Sequence, residues 1–559
     1  MKTGILLFLV MALAATATAA TTPSTRKVGD LGQVGNVDFP TSCDPALQPE
    51  FERAVALLHS FFYVEARRVF TDLARKDPEC AMAWWGIAMT YYHPIWAAPD
   101  SSELAAGQAA VEKALAAKKQ GEREGAYITA IEAFYKGLAE PVVAAAPGPS
   151  CHALEVVDHK GRAACFRREM EKVATRYPDD IDANAFFALS LIGTAPAGDP
   201  ELKQQKQAAA ILEGWYAKRR NHPGLAHYLI HSYDYPPLAQ KGLAAAQAYA
   251  SIAPWVPHAL HMPSHIFTRL GMWKENIESN LASADASRRY AAEHHADGAG
   301  FEELHALDYL VYGYLQTTQD AKAKEVLERI ASITKTYPET DFAVAYAFGA
   351  IPARYALERR QWKEAAALQR PPMPFWSKLP FSEGHLAYAR AVGAVRSGDL
   401  VAANAAVGRL GELVAASSEP RFRYFADQME IQRQAATGLI ALAKGERDEA
   451  LRLLGRAAAR EDSLGKHPVS PGALLPVREL LAEALLEVGK PAEALAEFQA
   501  SLKIYPGRFN GVRGAARAAA AAGDKHAARR YYEELLALAR SGDGARPEVT
   551  EARNFMAGH

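Results

Sequence analysis

The sequence predicts an all-α fold, a solenoid of stacked helix pairs. Alanine is dense along the 559 residues and β-branched runs are scarce, which favours helix throughout. Small and large residues recur at matching places in successive segments, the mark of a repeat architecture. Hydrophobic residues make up 49% of the chain, enough for a large core and too many for a disordered one.

Residues 1–20 read as an export leader. Lys2 supplies the charged start, Ile5 to Leu13 the apolar run, and the Ala-rich stretch to Ala20 the cleavage site. The expected location is therefore periplasmic or secreted. Beyond the leader no run of 18 apolar residues occurs, so no membrane span is expected. Lys and Arg number 63 against 64 Asp and Glu, a balance that excludes a mainly electrostatic nucleic-acid binder. Four cysteines in an oxidising compartment suggest two disulfides. The most local pairing is Cys151 with Cys165 across a loop that interrupts a helical region, leaving Cys43 with Cys80. A Cys/His zinc site using His152 and His159 of that loop is the rival, weakened by irregular spacing.

The C-terminus carries the clearest repeat. From Phe509, Ala516 falls at the eighth place, Gly523 at the fifteenth, Ala528 at the twentieth and Tyr532 at the twenty-fourth. The unit before it has Ala482, Gly489, Ala494, Phe498 and Pro506 in the same frame, and Tyr63, Ala66, Phe70 and Pro78 repeat it near the N-terminus. Small residues let the two helices of a pair touch, and large ones fill the seam between pairs. On these landmarks residues 45–545 resemble the tetratricopeptide repeat (TPR) family, with about ten or eleven repeats. The resemblance implies a right-handed superhelix whose concave wall is built from the first helix of each pair, with positions two, five, nine, twelve and thirteen facing the groove. The expected organisation is a leader at 1–20, an extension at 21–44, and repeats at 45–215 with an insertion at 140–166. His-rich repeats at 216–335, further repeats at 336–545 and a tail at 546–559 complete it.

The histidines are the chemical signal. Taking Gly271 and Trp273 as positions fifteen and seventeen puts His258, His261 and His265 at two, five and nine. Ala323, Leu327 and Ile330 frame the next repeat, placing His305, Asp308 and Tyr312 at two, five and nine. In the repeat before, His227 and His231 are four apart and share a face; their register reads as five and nine or as two and six. First helices of successive repeats are neighbours, so His227, His231, His258, His261, His265, His305 and Asp308 are expected to converge on the concave wall. Further groove positions are His59, Trp85 and His93 toward the N-terminus, and Arg354, His385 and Tyr388 beyond the cluster. His294 and His295 are expected to be solvated. Runs such as HPGLAHYLIHSYD and HALHMPSHIFTRLGMW resemble those of exported bacterial TPR proteins.

Imidazole is a common ligand for zinc, copper and iron. His-x-x-x-His pairs at 227/231 and 261/265 can grip one ion from two helices, with Asp308 as ligand or outer acceptor. The glutamate base of the His-Glu-x-x-His motif is missing, as are a Gly-x-Ser-x-Gly elbow and a phosphate loop. Three functions stay open. The chain binds a peptide, protein or small molecule in a His-rich groove holding a transition metal; it is a metal-dependent hydrolase or oxidase at the same cluster; or it is a plain scaffold.

Overall fold

A computed structural model of the chain describes residues 32–95, 98–136, 159–196, 198–294, 297–337, 342–544 and 546–558. Helix dominates it, and the strand is two short pieces, Ala299–Gly300 and Thr336–Tyr337, paired in parallel. None of the described helices is long and apolar enough to cross a membrane.

The repeat landmarks do the work their spacing implies. Ala482, Ala494, Ala516 and Ala528 are completely buried where helices Val477–Glu487, Pro491–Ile504, Phe509–Ala521 and Lys525–Leu538 touch. Phe498 and Tyr532 fill the seams. Gly489 and Gly523 take positive φ in the turns, where a side chain would be strained. Each helix packs on the next, and first helices also contact the first helix of the following pair, which is the contact pattern of a TPR-like solenoid.

The stack does not stay open. One inner row runs through Phe301–Gln316, Phe342–Glu358, Phe381–Arg396, Arg423–Ala443, Val477–Glu487 and Phe509–Ala521, and its last helix returns to touch its first. In the N-terminal half, Gln48–His59 likewise meets Pro223–Tyr233. Each closed turn has its own apolar core. One extends from Val34 to Phe267 and the other from Ile277 to Ala552.

Closure corrects the expectation of an open concave groove. Trp85 does not face a groove; it is buried among Phe39, Phe70, Tyr127 and Phe186. Tyr312, Arg354, His385 and Tyr388 are buried too. The segment 466–473 lies over the inner face. Ser470 O accepts from the Tyr309 hydroxyl at 3.0 Å, and Gly472 O and Ala473 O accept from Arg354 at 3.2 Å each. The space expected to hold a partner peptide here holds the chain's own backbone.

The ends are also integral. In the 21–44 extension, the described part is extended and packs Phe39 into the core, with Asn36 N donating to Asn221 O. The expected tail is a helix, Pro547–Gly558, tied in where Arg546 pairs with Asp320. The described end of the 140–166 insertion already belongs to helix His159–Arg176. Cys43 and Cys80 are disulfide-bonded, with Cα atoms 4.8 Å apart. The Cys151–Cys165 pairing lies outside the described residues because Cys151 does; no described cysteine is free. His152, and with it the rival zinc site, lies outside them as well.

Candidate metal centre

The histidines meet at the junction of the two cores. Helix Pro223–Tyr233 begins with Pro223, whose fixed φ suits a first helical turn. Every residue of it is buried, and His227 and His231 lie one turn apart on a shared face. The next inner segment is broken. Helix Pro257–His261 ends where Pro263 starts helix Pro263–Arg269, because proline lacks the N–H that would continue the ladder. The break lets His258 turn toward His227 while His261 and His265 turn toward the following helix. That helix, Phe301–Gln316, contributes His305.

The result is two groups of three imidazoles. His227, His231 and His258 form one, and His261, His265 and His305 the other; within each, ligand-capable atoms lie within 4.8 Å of one another. The groups adjoin, with ring centroids of His258 and His261, and of His231 and His265, 6.2 Å apart. Six of the seven expected residues therefore converge. The grouping differs from the expected four-histidine site, because each His-x-x-x-His pair takes its third member from the next inner segment. Asp308 is the exception. Its carboxylate faces Arg354, with Oδ1 3.1 Å from Nε, so it is spent on an ion pair that also anchors the covering segment.

Hydrogen bonds fix the tautomers. His227 Nδ1 lies 2.7 Å from His59 O, His261 Nδ1 2.7 Å from Asn280 Oδ1, and His265 Nδ1 2.9 Å from Asp234 Oδ2. A carbonyl or carboxylate oxygen only accepts, so each Nδ1 carries the proton. Asn280 is oriented by its own Nδ2, which donates to Asn276 O. Each Nε2 is then a bare lone pair, and His261 Nε2 and His265 Nε2 face each other at 3.0 Å. His227 Nε2 and His231 Nε2 also stand 3.0 Å apart. There His231 can supply a proton; between His261 and His265 neither ring has one to give.

The electrostatics keep the rings neutral. Burial, reinforced by neighbouring imidazoles, holds His227, His231, His261 and His305 well below the usual histidine value. Burial brings His265 down to about 4 despite Asp234. Asp234 is itself buried, which pushes it up, but Lys466 and Arg269 more than offset that and hold it ionised. Phe61 closes one wall, its ring centroid 4.4 Å from that of His227. Its φ of 54° places it in the left-handed region, at a cost of about 1–2 kcal/mol for a non-glycine residue.

The other expected residues have different roles. His59 bonds Asp182 at 2.7 Å and Tyr228 at 2.9 Å, and His222 reaches the same Asp182 oxygen at 3.2 Å. This His59–Asp182–His222 group also has metal-ligand spacing, but its nitrogens are already engaged, and its effect is to fix the carbonyl that orients His227. His93 lies tilted against Tyr63, which stacks on Phe61. His385 packs on Tyr346 with neither ring nitrogen hydrogen-bonded. His294, expected to be solvated, bonds Tyr290 O and stacks on that ring; His295 lies outside the described residues. Sequence reasoning missed Asp234, Asn280, Phe61, Asp182 and Lys466. Asp234 had a signal, standing three residues past His231 at the end of the same run. Asn280 and Lys466 had none, because their approach depends on the tertiary fold.

No protein-family model matches this chain, and no curated protein matches it. Among solved structures, it is similar to yeast Tom70 at 12% identity, covering 91% of this chain and 95% of that one, with a TM-score of 0.33. It is also similar to Cut9–Hcn1 of the APC/C at 12% identity, with coverage of 91% and 96% and a TM-score of 0.26. For the TPR domain of P58(IPK) the identity is 13%, the coverage 68% and 99%, and the TM-score 0.21. Superpositions this loose add nothing to the fold assignment, which rests on the chain's own helix pairing.

Proposed function

We propose that this chain is an exported helical-repeat protein whose buried histidines hold a transition metal. The observation that carries the reading is the 3.0 Å approach of His261 Nε2 to His265 Nε2, with both Nδ1 protons committed outward to Asn280 and Asp234. Two bare lone pairs at that distance repel unless a cation lies between them, and burial disfavours an extra proton on either ring. Imidazole nitrogens bound at ~2.0–2.1 Å to one ion stand roughly 2.9–3.4 Å apart. Outward Nδ1–H bonds to carboxylate, amide or carbonyl oxygen are the usual way a protein orients histidine ligands. The Cys43–Cys80 bridge supports the exported compartment.

The burial favours holding an ion over processing a large substrate. None of the six imidazole residues is more than 5% exposed, so a peptide does not reach them in this conformation. The partner-binding reading keeps the outer surfaces of the solenoid but loses the inner one. The test is elemental analysis of the chain expressed with its leader, purified without a His-tag and desalted. Copper, zinc or iron near stoichiometric amounts is expected, with the ion held by this pair lost in His261→Gln/His265→Gln. Metal-free protein that also takes up none of these ions on titration would end the proposal.

A further inference from the structure

We infer that the cluster is two metal sites, each built from three histidines and related by one step of the repeat. This rests on the reading of the cluster as metal-binding, and it adds the number of ions and the rule that makes the sites. In the repeat frame His261 and His265 occupy positions five and nine, and His305 position two of the repeat that follows. Moving back one repeat turns this set into His227, His231 and His258, which is the other three-histidine group. The structure thereby settles the register of His227 and His231 as five and nine. Both groups have a His-x-x-x-His pair on one inner segment with Nε2 atoms 3.0 Å apart, completed by a histidine from the next.

The rule stops cleanly at both ends. One repeat further on, positions five and nine are Asp308 and Tyr312, and Asp308 is bound to Arg354. One repeat earlier, position two is Gly224, whose lack of a side chain admits the His59 ring. His305 has a buried Nδ1 without a hydrogen-bond partner, and one of its ring nitrogens lies within the second group's reach.

Three imidazoles leave a position open on each ion. Imidazole ligands bring no charge to an ion; beside the second group Asp234 is paired with Arg269 and Lys466, and beside the first the Glu302 carboxylate lies 3.4 Å from His258 Nδ1. Burying net charge is costly, so a low-charge ion that accepts three nitrogen donors suits the site best. Cu(I) is that ion, and Zn(II) the divalent comparison.

Titrating the full mature chain anaerobically with Cu(I) against a coloured chelator, and separately with Zn(II), tests this. Two tightly held Cu(I) per chain are expected. His258→Gln and His305→Gln should each lose one and keep the other, with the helical dichroism signal retained. One ion per wild-type chain would overturn the two-site inference while leaving the metal reading standing. No ion of either kind would remove both. Because the count is made on the wild-type chain, a variant that fails to fold does not blunt the test.

Discussion

His261 and His265 differ from ordinary buried histidines in where their protons are. A core imidazole normally donates through one nitrogen and accepts through the other; here both rings donate outward and present bare nitrogens to each other. The spacing of these residues was legible in the sequence, but their burial was not. Replacing both with Ala would have been harmless on an open groove. In this packing it takes one donor from Asp234 and one from Asn280 and opens a cavity, so His261→Ala/His265→Ala is expected to destabilise the chain by about 3–5 kcal/mol in chemical denaturation, besides losing metal. The pH dependence has a definite sign. Depressed imidazoles are neutral in the folded state and protonate on unfolding below about pH 6.5, so stability is full above that value and falls as pH drops. Each such ring contributes a slope of about 1.4 kcal/mol per pH unit until its folded value is reached, about 4 for His265 and about 3 for His385 and His467. Metal occupancy should decline over the same range. A metal-free chain whose melting temperature is level from pH 7 to pH 5 would contradict the assigned protonation states.

Helix pairing was readable because its causes are local. Alanine at the crossing and glycine in the turn act within one repeat, as at Ala516 and Gly523. What the 466–473 segment does was not readable, since its partners Asp234, Tyr309 and Arg354 lie more than a hundred residues away. The fate of Asp308 was hidden too: the repeat frame placed it on the inner face but could not pair it with Arg354, 46 residues further on. Arg354 joins these parts, bonding Asp308 and two carbonyls of the segment while fully buried. Arg354→Ala takes the ion-pair partner from a buried carboxylate and a donor from the Ala473 carbonyl, while Gly472 O keeps only its bond from Ser470 Oγ. It is expected to cost about 3–5 kcal/mol and to raise hydrogen exchange through residues 470–476. Unchanged exchange there would mean that the segment is held by something other than this arginine.

At the scale of the molecule, two closed turns of solenoid meet at the histidines, so the metal would bridge two cores that otherwise pack separately. The Cys43–Cys80 bridge braces the N-terminal turn across a separation of 37 residues. Removing it as Cys43→Ala/Cys80→Ala should lower stability by on the order of 4 kcal/mol in the loop-entropy account, with the second turn less affected in limited proteolysis. Equal sensitivity of both turns would show that they unfold as one unit. The central claim is that the histidines hold metal, and X-ray absorption at the edge of whichever metal co-purifies tests it most directly. The structure predicts about three nitrogen neighbours near ~2.0 Å per ion with the outer-shell scattering of imidazole and no sulfur. A spectrum of oxygen neighbours without imidazole scattering would place the ion elsewhere and contradict the account.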